Sequence, residues 1–239
     1  MIPRIIHYCW FGREPMSEQA QKCMASWHRM MPDYTYKLWN EDNFDVESVP
    51  YVKEAYDAEK YAFVSDYVRL WALSTEGGLY FDVDVEVFKP FDDLLGYRAF
   101  AGFEGSKHLP VGTCVMASEA GGEWISEQLA YYQNRHFVKK DGTFDLTTNV
   151  LYITSKMHEQ GFVQNGEEQV FKGLHVFPVD YFSPRQTTGE YIRTENTYSD
   201  HLGLSSWNER TGGWKGGLCR MIGQRNMTRL IKLKRKLLG

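Results

Sequence analysis

The sequence predicts an α/β domain in which helices flank a mostly parallel central β-sheet. Short apolar segments typical of buried strands alternate along the chain with longer segments of helical periodicity. The chain has 239 residues, of which 43% are hydrophobic and 24% charged, as in an ordinary globular domain. No stretch approaches the ~18 consecutive apolar residues that a membrane-spanning helix requires.

The first half of the chain follows the order strand, helix, strand, and specific residues mark where each pattern ends. Pro32 closes the first helical segment, and Gly77-Gly78 supplies the left-handed stop that helix ends favour. The strand that follows ends before Pro90. These patterns predict strands over 5–10, 34–39 and 79–88, and helices over 17–31 and 51–76.

The second half continues the alternation and then changes in composition. Gly, Ser, Thr and Asn are frequent over 187–217, which we interpret as loops above the sheet. We expect a single domain over 1–225 and a basic amphipathic helix over 226–239. The remaining predicted elements are strands over 99–103, 113–117 and 174–179, and helices over 124–134 and 150–160.

The segment 79–88 carries three acids at alternate positions. On a strand, Asp82, Asp84 and Glu86 would project from one face. An exposed edge strand is one explanation. Because apolar residues precede the acids, however, the acids fall where the strand leaves the sheet, and in open α/β sheets that end binds ligands. A divalent cation, Mn²⁺ or Mg²⁺, would relieve the repulsion between the carboxylates.

Two enzyme classes place an Asp-x-Asp motif at the end of a strand. In aspartyl-phosphate phosphatases the motif typically continues with Gly-Thr, whereas Val85-Glu86 follows here, which counts against that class. The other class comprises the nucleotide-sugar transferases, in which Asp-x-Asp holds the metal that binds a diphosphate.

A charged pair on the preceding helix bears on this choice. Asp66 and Arg69 are spaced i, i+3 and lie on one helix face, among apolar residues that form the packing surface. The pair has a simple structural explanation as an exposed helical ion pair, which would contribute little to stability.

Three segments of the sequence form a combined pattern, which consists of IPRIIHYCWFG at 2–12, AFVSDYVR at 62–69 and GGLYFDVD at 77–84. Together they resemble glycosyltransferase family 32 and, more distantly, the glucosyltransferase domains of large bacterial toxins. Beyond Pro90 the resemblance weakens until Tyr198-Ser199-Asp200-His201 and Ser205-Ser206-Trp207, which look like the closing metal and diphosphate segment of that family.

The resemblance implies a glycosyltransferase A-type fold, in which a Rossmann-like sheet joins an acceptor-binding half, so that 1–225 would be the catalytic domain. It also implies transfer with retention at the anomeric carbon. Asp66, Arg69, Asp82 and Asp84 would be the catalytic set, with Asp66 and Arg69 holding the donor sugar. The implied donor-binding residues further include Tyr8, Trp10, Asp82, Ser205, Ser206 and Trp207, and the implied ligands of Mn²⁺ or Mg²⁺ are Asp82, Asp84 and His201.

The expected activity is transfer of a hexose from a nucleotide sugar, with a UDP-sugar favoured, to a saccharide or lipid-linked saccharide acceptor. The chain departs from the family at 145–150, where Thr147-Thr148-Asn149 replaces a common Gly-Pro, so acceptor identity transfers least well. A non-catalytic nucleotide-sugar or carbohydrate-binding protein on the same fold is the main alternative. A metal-dependent phosphohydrolase is a further alternative.

Charge is distributed unevenly along the chain. All 31 acidic side chains lie within 1–210, whereas 8 of the 27 basic ones lie in 211–239. A basic amphipathic helix beside an acidic body favours a peripheral location on an anionic membrane surface over nucleic-acid binding. The four cysteines show no paired spacing, which suggests buried, reduced thiols. We therefore expect a cytoplasmic protein on the inner face of the cell membrane.

Overall fold

The computed structural model describes residues 1–105, 109–185 and 190–203 of the chain. The helices in this part of the chain are α1 Glu18–Met30, α2 Pro50–Asp57, α3 Tyr61–Glu76, α4 Glu123–Ala130, α5 Asn149–Glu159 and α6 Val179–Phe182. The strands are β1 Ile5–Cys9, β2 Thr35–Trp39, β3 Gly78–Phe81, β4 Val85–Val87, β5 Ala99–Phe103, β6 Val111–Ser118, β7 Gln169–Phe171, β8 Leu174–Phe177 and β9 Ser199–His201.

Seven of these strands form the central sheet in the order β2-β1-β3-β6-β5-β8-β7. Strands β2, β1, β3, β5 and β8 run in one direction, and β6 and β7 run in the other. The predicted α/β fold with a mostly parallel sheet is therefore confirmed. Strands β4 and β9 pair antiparallel in a small second sheet.

Hydrophobic residues pack on both faces of the large sheet. Side chains alternate across β3, so Tyr80 joins one core cluster while Leu79 and Phe81 join the other. The first cluster includes residues of α2, α3, α4 and α5, and the second includes Trp27 of α1 and Phe182 of α6. Both faces of the large sheet are thus covered.

Local sequence signals explain the helix boundaries nearest the site. The Ser17 hydroxyl accepts the backbone N–H of Ala20 and caps α1. At the carboxyl end of α3, Gly77 adopts φ +67°, and a Cβ at this position would lie 2.6 Å from the backbone nitrogen of Ala120. Glycine is therefore required where α3 turns into β3.

The predicted continuous strand over 79–88 is wrong, and with it the placement of three acids on one strand face. β3 ends at Phe81, and the backbone N–H of Val85 donates to the carbonyl of Asp82 at 3.0 Å, which closes a turn. Aspartate is favoured at the first position of such turns. The chain then continues as β4, which pairs with β9 rather than with the central sheet.

Two predicted helices are shorter than their apolar patterns. The segment 51–76 is divided between α2 and α3 by a left-handed Glu59, at φ 58°. The backbone N–H of Lys60 donates there to the carbonyl of Ala55, a bond that closes the end of α2. The helix predicted over 124–134 ends at Ala130.

Several predictions concern parts of the chain that the structure does not describe. These are the role of Ser205, Ser206 and Trp207 and the basic helix over 226–239. Among the described residues, no helix is long and apolar enough to cross a membrane. The three described cysteines, Cys9, Cys23 and Cys114, are buried and free, as predicted.

Candidate active site

The Asp-x-Asp motif lies at the carboxyl end of β3, in the turn between the large and small sheets. The backbone N–H of Asp82 donates to the carbonyl of Cys114 at 2.9 Å, which ties the motif to β6. The carbonyl of Asp84 accepts the N–H of Leu202 at 3.0 Å, and Val85 pairs in register with His201. The β4-β9 pairing thus brings His201 beside the motif.

Two side chains of helix α1 form hydrogen bonds to the backbone of β4. The indole N–H of Trp27 donates to the carbonyl of Val85 at 2.6 Å, and the Ser26 hydroxyl accepts the N–H of Val87 at 2.9 Å. Trp27 is fully buried. Because rigid elements hold both sides of the turn, the two aspartates are presented on a fixed backbone.

Asp82, Asp84 and His201, the predicted metal ligands, form a group that could hold a metal ion. One ligand atom from each residue lies within 4.8 Å of the others, and His201 Nε2 lies 3.4 Å from Asp84 Oδ1. Two carboxylates and one imidazole are compatible with Mn²⁺, and the carboxylates also suit Mg²⁺. Glu86, the third acid of the motif, lies opposite Asp200 in the β4-β9 ladder and is not part of this group.

Arg69 links Asp66, its partner on α3, to the Asp-x-Asp motif. Its Nη2 lies 3.2 Å from Asp66 Oδ1, and its Nη1 lies 3.2 Å from Asp82 Oδ1. Nη1 also donates to the backbone carbonyl of Thr113 at 2.7 Å. The guanidinium group lies 4.6 Å from the centre of the Tyr80 ring, whose hydroxyl donates to Asp82 Oδ1 at 3.0 Å. A single cation therefore positions two acids from different elements.

The Asp66–Arg69 pair is not the exposed ion pair that its spacing alone would suggest. Asp66 is 8% exposed and Arg69 is 5% exposed. A buried guanidinium that stays charged needs acidic partners, and Arg69 has two of them. This burial favours a role for the pair in the site over a solvent-exposed contact on the helix surface.

Asp66 is held from its other side by the start of α5. The backbone N–H of Asn149 donates to Asp66 Oδ2 at 3.1 Å, and the Asn149 side-chain amide donates to the Asp66 carbonyl at 2.9 Å. Burial raises the pKa of Asp66 from 3.8 to about 6, although the charge of Arg69 and the Asn149 N–H oppose the increase.

Two further groups near the motif have perturbed protonation. Burial raises the pKa of the Glu104 carboxyl, and the charge of His201 opposes that increase. Burial disfavours the charged form of His201, but the neighbouring Cys114 and Asp84 outweigh it and raise the pKa of the imidazole. Perturbed groups that converge at the edge of a sheet are typical of a functional site.

The donor-binding residues predicted on β1 have different surroundings. The Tyr8 side chain is 9% exposed and packs edge to face against Trp27, with ring centres 5.6 Å apart. Trp10 follows the end of β1 and is partly buried, and its indole N–H donates to the carbonyl of Glu14 at 2.6 Å. The contact of Trp10 with a nucleotide base stays a prediction, as does that of Tyr8 with the donor.

Sequence reasoning missed three contacts of this site. The Thr113 carbonyl is a backbone atom, so no residue type indicated it. Tyr80 looked like an ordinary core residue of an apolar strand. Asn149 was noted only as part of a departure from the family pattern, although the start of a predicted helix beside an unusual Asn could have indicated a polar partner.

Comparisons with known proteins bear on the activity of this site. A family model described as "glycosyltransferase sugar-binding region containing DXD motif" matches residues 17–101, which include the Asp66–Arg69 pair and the Asp-x-Asp turn. Over 221 residues the chain is 31% identical to the uncharacterized glycosyltransferase L373 of Acanthamoeba polyphaga mimivirus. That match covers 87% of this chain and 84% of the viral protein.

A second relative is similar over a shorter segment. Inositol phosphoceramide mannosyltransferase 3 of Schizosaccharomyces pombe is 35% identical over 105 residues, which cover 41% of this chain and 29% of that protein. The chain matches less than a third of the length of the first curated relatives. The solved structure of PaToxG glycosyltransferase has a TM-score of 0.52 at 19% identity and covers 67% of this chain and 70% of that chain. This similarity confirms the predicted glycosyltransferase A-type fold.

Proposed function

Because the chain belongs to the family of glycosyltransferases with a DXD-containing sugar-binding region, we propose that it transfers a hexose from a nucleotide sugar to a saccharide or lipid-linked saccharide acceptor. A UDP-sugar is the favoured donor. The proposal rests on the buried Arg69, which contacts both Asp66 on α3 and Asp82 in the Asp-x-Asp turn. The charged pair of α3 and the Asp-x-Asp turn thus form one connected site.

The proposed reaction depends on a divalent metal. Asp82, Asp84 and His201 would hold Mn²⁺ or Mg²⁺, and their carboxylate and imidazole donors fit such an ion. When bound, the metal would neutralise charge on the departing diphosphate. The acids Asp66 and Asp82 keep the buried Arg69 charged, and its guanidinium adds a fixed positive charge beside Asp82.

Each protein group has a defined part in donor recognition. We assign Asp66 the role of accepting hydrogen bonds from the donor sugar, since Arg69 and Asn149 fix the position of its carboxylate. We assign Asp82 contacts with the ribose and the metal, and its contacts with Arg69 and Tyr80 support this role by holding the carboxylate at the turn. Rigid placement of these acids lowers the entropy lost when the donor binds.

We propose that transfer retains the configuration at the anomeric carbon. The simplest route is a same-face displacement in which the departing diphosphate accepts the proton of the acceptor hydroxyl. This route needs no protein nucleophile. The site then has three tasks, which are to orient the donor, to stabilise the leaving group and to keep water away from the reacting carbon.

A donor panel tests the proposed function. The panel holds UDP-glucose, UDP-galactose, UDP-N-acetylhexosamines and GDP-mannose, the last because relatives are named mannosyltransferases. Each donor is incubated with Mn²⁺, and the released nucleotide is measured with and without saccharide acceptors. Metal-dependent release from one donor supports the proposal. Saturable donor binding without transfer or hydrolysis would favour the non-catalytic binding protein, and hydrolysis of simple phosphate esters would favour the phosphohydrolase.

We also propose that the segment 226–239 attaches the enzyme to an anionic membrane surface on the cytoplasmic side. Helical spacing divides the residues of this segment between an apolar side and a basic side. The apolar side has Met227, Leu230, Ile231, Leu233, Leu237 and Leu238, and the basic side has Arg229, Lys232, Arg235 and Lys236. Lys234 falls within the apolar side, where its long side chain can still reach the surface. Anionic headgroups contribute about 1 kcal/mol for each nearby Lys or Arg. Such binding would keep the enzyme near a lipid-linked acceptor.

A further inference from the structure

A second group of possible metal ligands lies beside the Asp-x-Asp motif and contains a thiol. One ligand atom each from Glu104, Cys114 and His201 lies within 4.8 Å of the others. Glu104 directly follows β5, Cys114 lies on β6 and His201 ends β9. Three elements that are distant in the sequence therefore bring a carboxylate, a thiol and an imidazole together.

The backbone of β6 makes room for the Glu104 carboxylate. A Cβ built on Gly112 would lie 2.9 Å from Glu104 Oε2, so any side chain at this position would displace the carboxylate. The backbone N–H of Glu104 donates to the Pro110 carbonyl at 3.0 Å. Cys114 lies two residues after Gly112 along β6, and its Sγ lies within 4.8 Å of a Glu104 carboxylate oxygen. Glycine at 112 thus leaves space for the Glu104 carboxylate next to the strand that carries Cys114.

His201 presents its two ring nitrogens to different acids. Nε2 lies 3.4 Å from Asp84 Oδ1, and Nδ1 lies 3.9 Å from Glu104 Oε2. The imidazole therefore stands between the Asp-x-Asp turn and the Glu104–Cys114 pair. The side chains of His201 and Glu104 are 27% and 21% exposed, which gives an ion access to the buried thiol.

The two groups differ in the cation that they suit. Asp82 and Asp84 are hard oxygen donors, whereas Cys114 adds a soft sulfur donor. Zn²⁺ is bound in proteins by Cys, His and carboxylate ligands, and three protein ligands with an open fourth position are a common arrangement. We propose that Glu104, Cys114 and His201 form a Zn²⁺ site that shares His201 with the Asp-x-Asp metal site.

Metal binding at this site converts the Cys114 thiol to a coordinated thiolate and releases its proton to solvent. No oxidant or reductant takes part. The same imidazole would have to serve both sites, so Zn²⁺ at the thiol site competes for a ligand of the neighbouring metal. Metal binding at Glu104, Cys114 and His201 can be measured without any sugar donor, so the result does not depend on which sugar the protein transfers.

Cobalt absorption spectroscopy on the full-length protein tests the site, since Co²⁺ replaces Zn²⁺ and a cobalt–thiolate bond gives a near-ultraviolet charge-transfer band. The band should appear when wild-type protein is titrated with Co²⁺ and disappear when Zn²⁺ is added. It should be absent in Cys114→Ser and retained in Cys23→Ser, a matched control at a buried cysteine on α1.

A second variant keeps the test decisive if Cys114→Ser does not fold. Glu104→Gln preserves the shape of the side chain, so we expect it to keep the band but to weaken Co²⁺ affinity by about tenfold or more. The proposal is overturned if wild-type protein gives no thiolate band, if the band survives in folded Cys114→Ser, or if Glu104→Gln binds Co²⁺ with unchanged affinity.

Discussion

Asn149 and Asp66 hold each other through two hydrogen bonds. The backbone N–H of Asn149 donates to Asp66 Oδ2 at 3.1 Å, and the Asn149 side-chain amide donates to the Asp66 carbonyl at 2.9 Å. Arg135 holds the preceding loop by donating to Asp145 at 3.0 Å and to the Thr147 carbonyl at 3.1 Å. The segment where the chain departs from its family therefore positions an acid that we assign to donor binding.

Replacing Asn149 should impair donor use through Asp66. Asn149→Ala removes the hydrogen bond from the side-chain amide and leaves the Asp66 carbonyl without this partner. The free energy of unfolding should fall by about 1–3 kcal/mol. We expect kcat/KM to fall by about tenfold, because a shifted carboxylate no longer fits the donor sugar. Steady-state kinetics with the active donor measure the effect. Asn165→Ala, at an exposed asparagine, serves as the control, and equal kinetics in the two variants would argue against the positioning role.

Removing Arg69 should damage both stability and activity. Arg69→Ala leaves the buried Asp66 and the partly buried Asp82 without their shared cation, and the unpaired buried charge of Asp66 should cost about 3 kcal/mol of unfolding free energy. Arg69→Lys keeps the charge but cannot contact both acids and the Thr113 carbonyl at once, so it should recover part of the stability and little of the activity.

Urea unfolding and donor turnover measure these two effects of Arg69. Arg98→Ala is the matched control, because Arg98 is an exposed arginine that also pairs with an acid, Glu119. Its unfolding free energy should change by no more than about 0.5 kcal/mol. If Arg69→Lys had wild-type activity, the forked contacts of the guanidinium would be irrelevant to function.

The raised pKa of Asp66 predicts a specific pH dependence of stability. Its pKa is about 6 in the folded protein, against 3.8 for an ordinary aspartate. Between these two pKa values, Asp66 binds more protons in the folded state than in the unfolded state. The stabilisation that comes from protonated Asp66 is therefore complete below about pH 4 and is lost as the pH rises to about 6. Asp66→Asn lacks the titration.

The test is the difference in unfolding free energy between wild-type protein and Asp66→Asn, measured by urea denaturation from pH 4 to 7. Wild-type stability should decrease relative to the variant up to about pH 6 and then stay constant. A difference that is flat across the range, or that increases with pH, would show that Asp66 is not held in a raised-pKa environment.

The basic C-terminal segment should affect location without affecting catalysis. A variant that ends at residue 225 should lose sedimentation with vesicles rich in phosphatidylserine, because it lacks the basic and apolar residues of 226–239. Its turnover with a short soluble acceptor should remain near that of the full chain. A quadruple substitution of Lys232, Lys234, Arg235 and Lys236 by Gln should have the same effect on vesicle binding. Loss of donor turnover in the truncated protein would contradict the proposed role.

Local sequence patterns predicted most of the fold because they depend on neighbouring residues. The start of α1 at its Ser17 cap and the end of α3 at Gly77 follow from such short-range signals. The break after Phe81 was missed because Val83 and Val85 continue an apolar alternation that is also typical of a strand. That break depends on the pairing of β4 with β9, which lies far along the chain.

The same distinction explains what could be predicted of the site. Asp66, Arg69, Asp82 and Asp84 stand in short motifs, and the structure brings them together. Their catalytic role stays a prediction. The burial of Arg69 could not be predicted from its helical spacing, because the partners that bury it come from β3 and β6. Cys114 could not be predicted as part of the site, because its thiol lies within 4.8 Å of a ligand atom of His201, a residue far along the chain on β9.

The most direct test of the proposed metal-dependent transfer compares Asp84→Asn with Glu86→Gln. Both variants remove one carboxylate charge from the motif, but only Asp84 belongs to the group formed with Asp82 and His201. Mn²⁺ binding is measured by electron paramagnetic resonance, and Mn²⁺-dependent nucleotide release is measured with the active donor. We predict that Asp84→Asn folds normally and loses both, whereas Glu86→Gln keeps both. Wild-type Mn²⁺ binding and turnover in folded Asp84→Asn would contradict the assignment of this site.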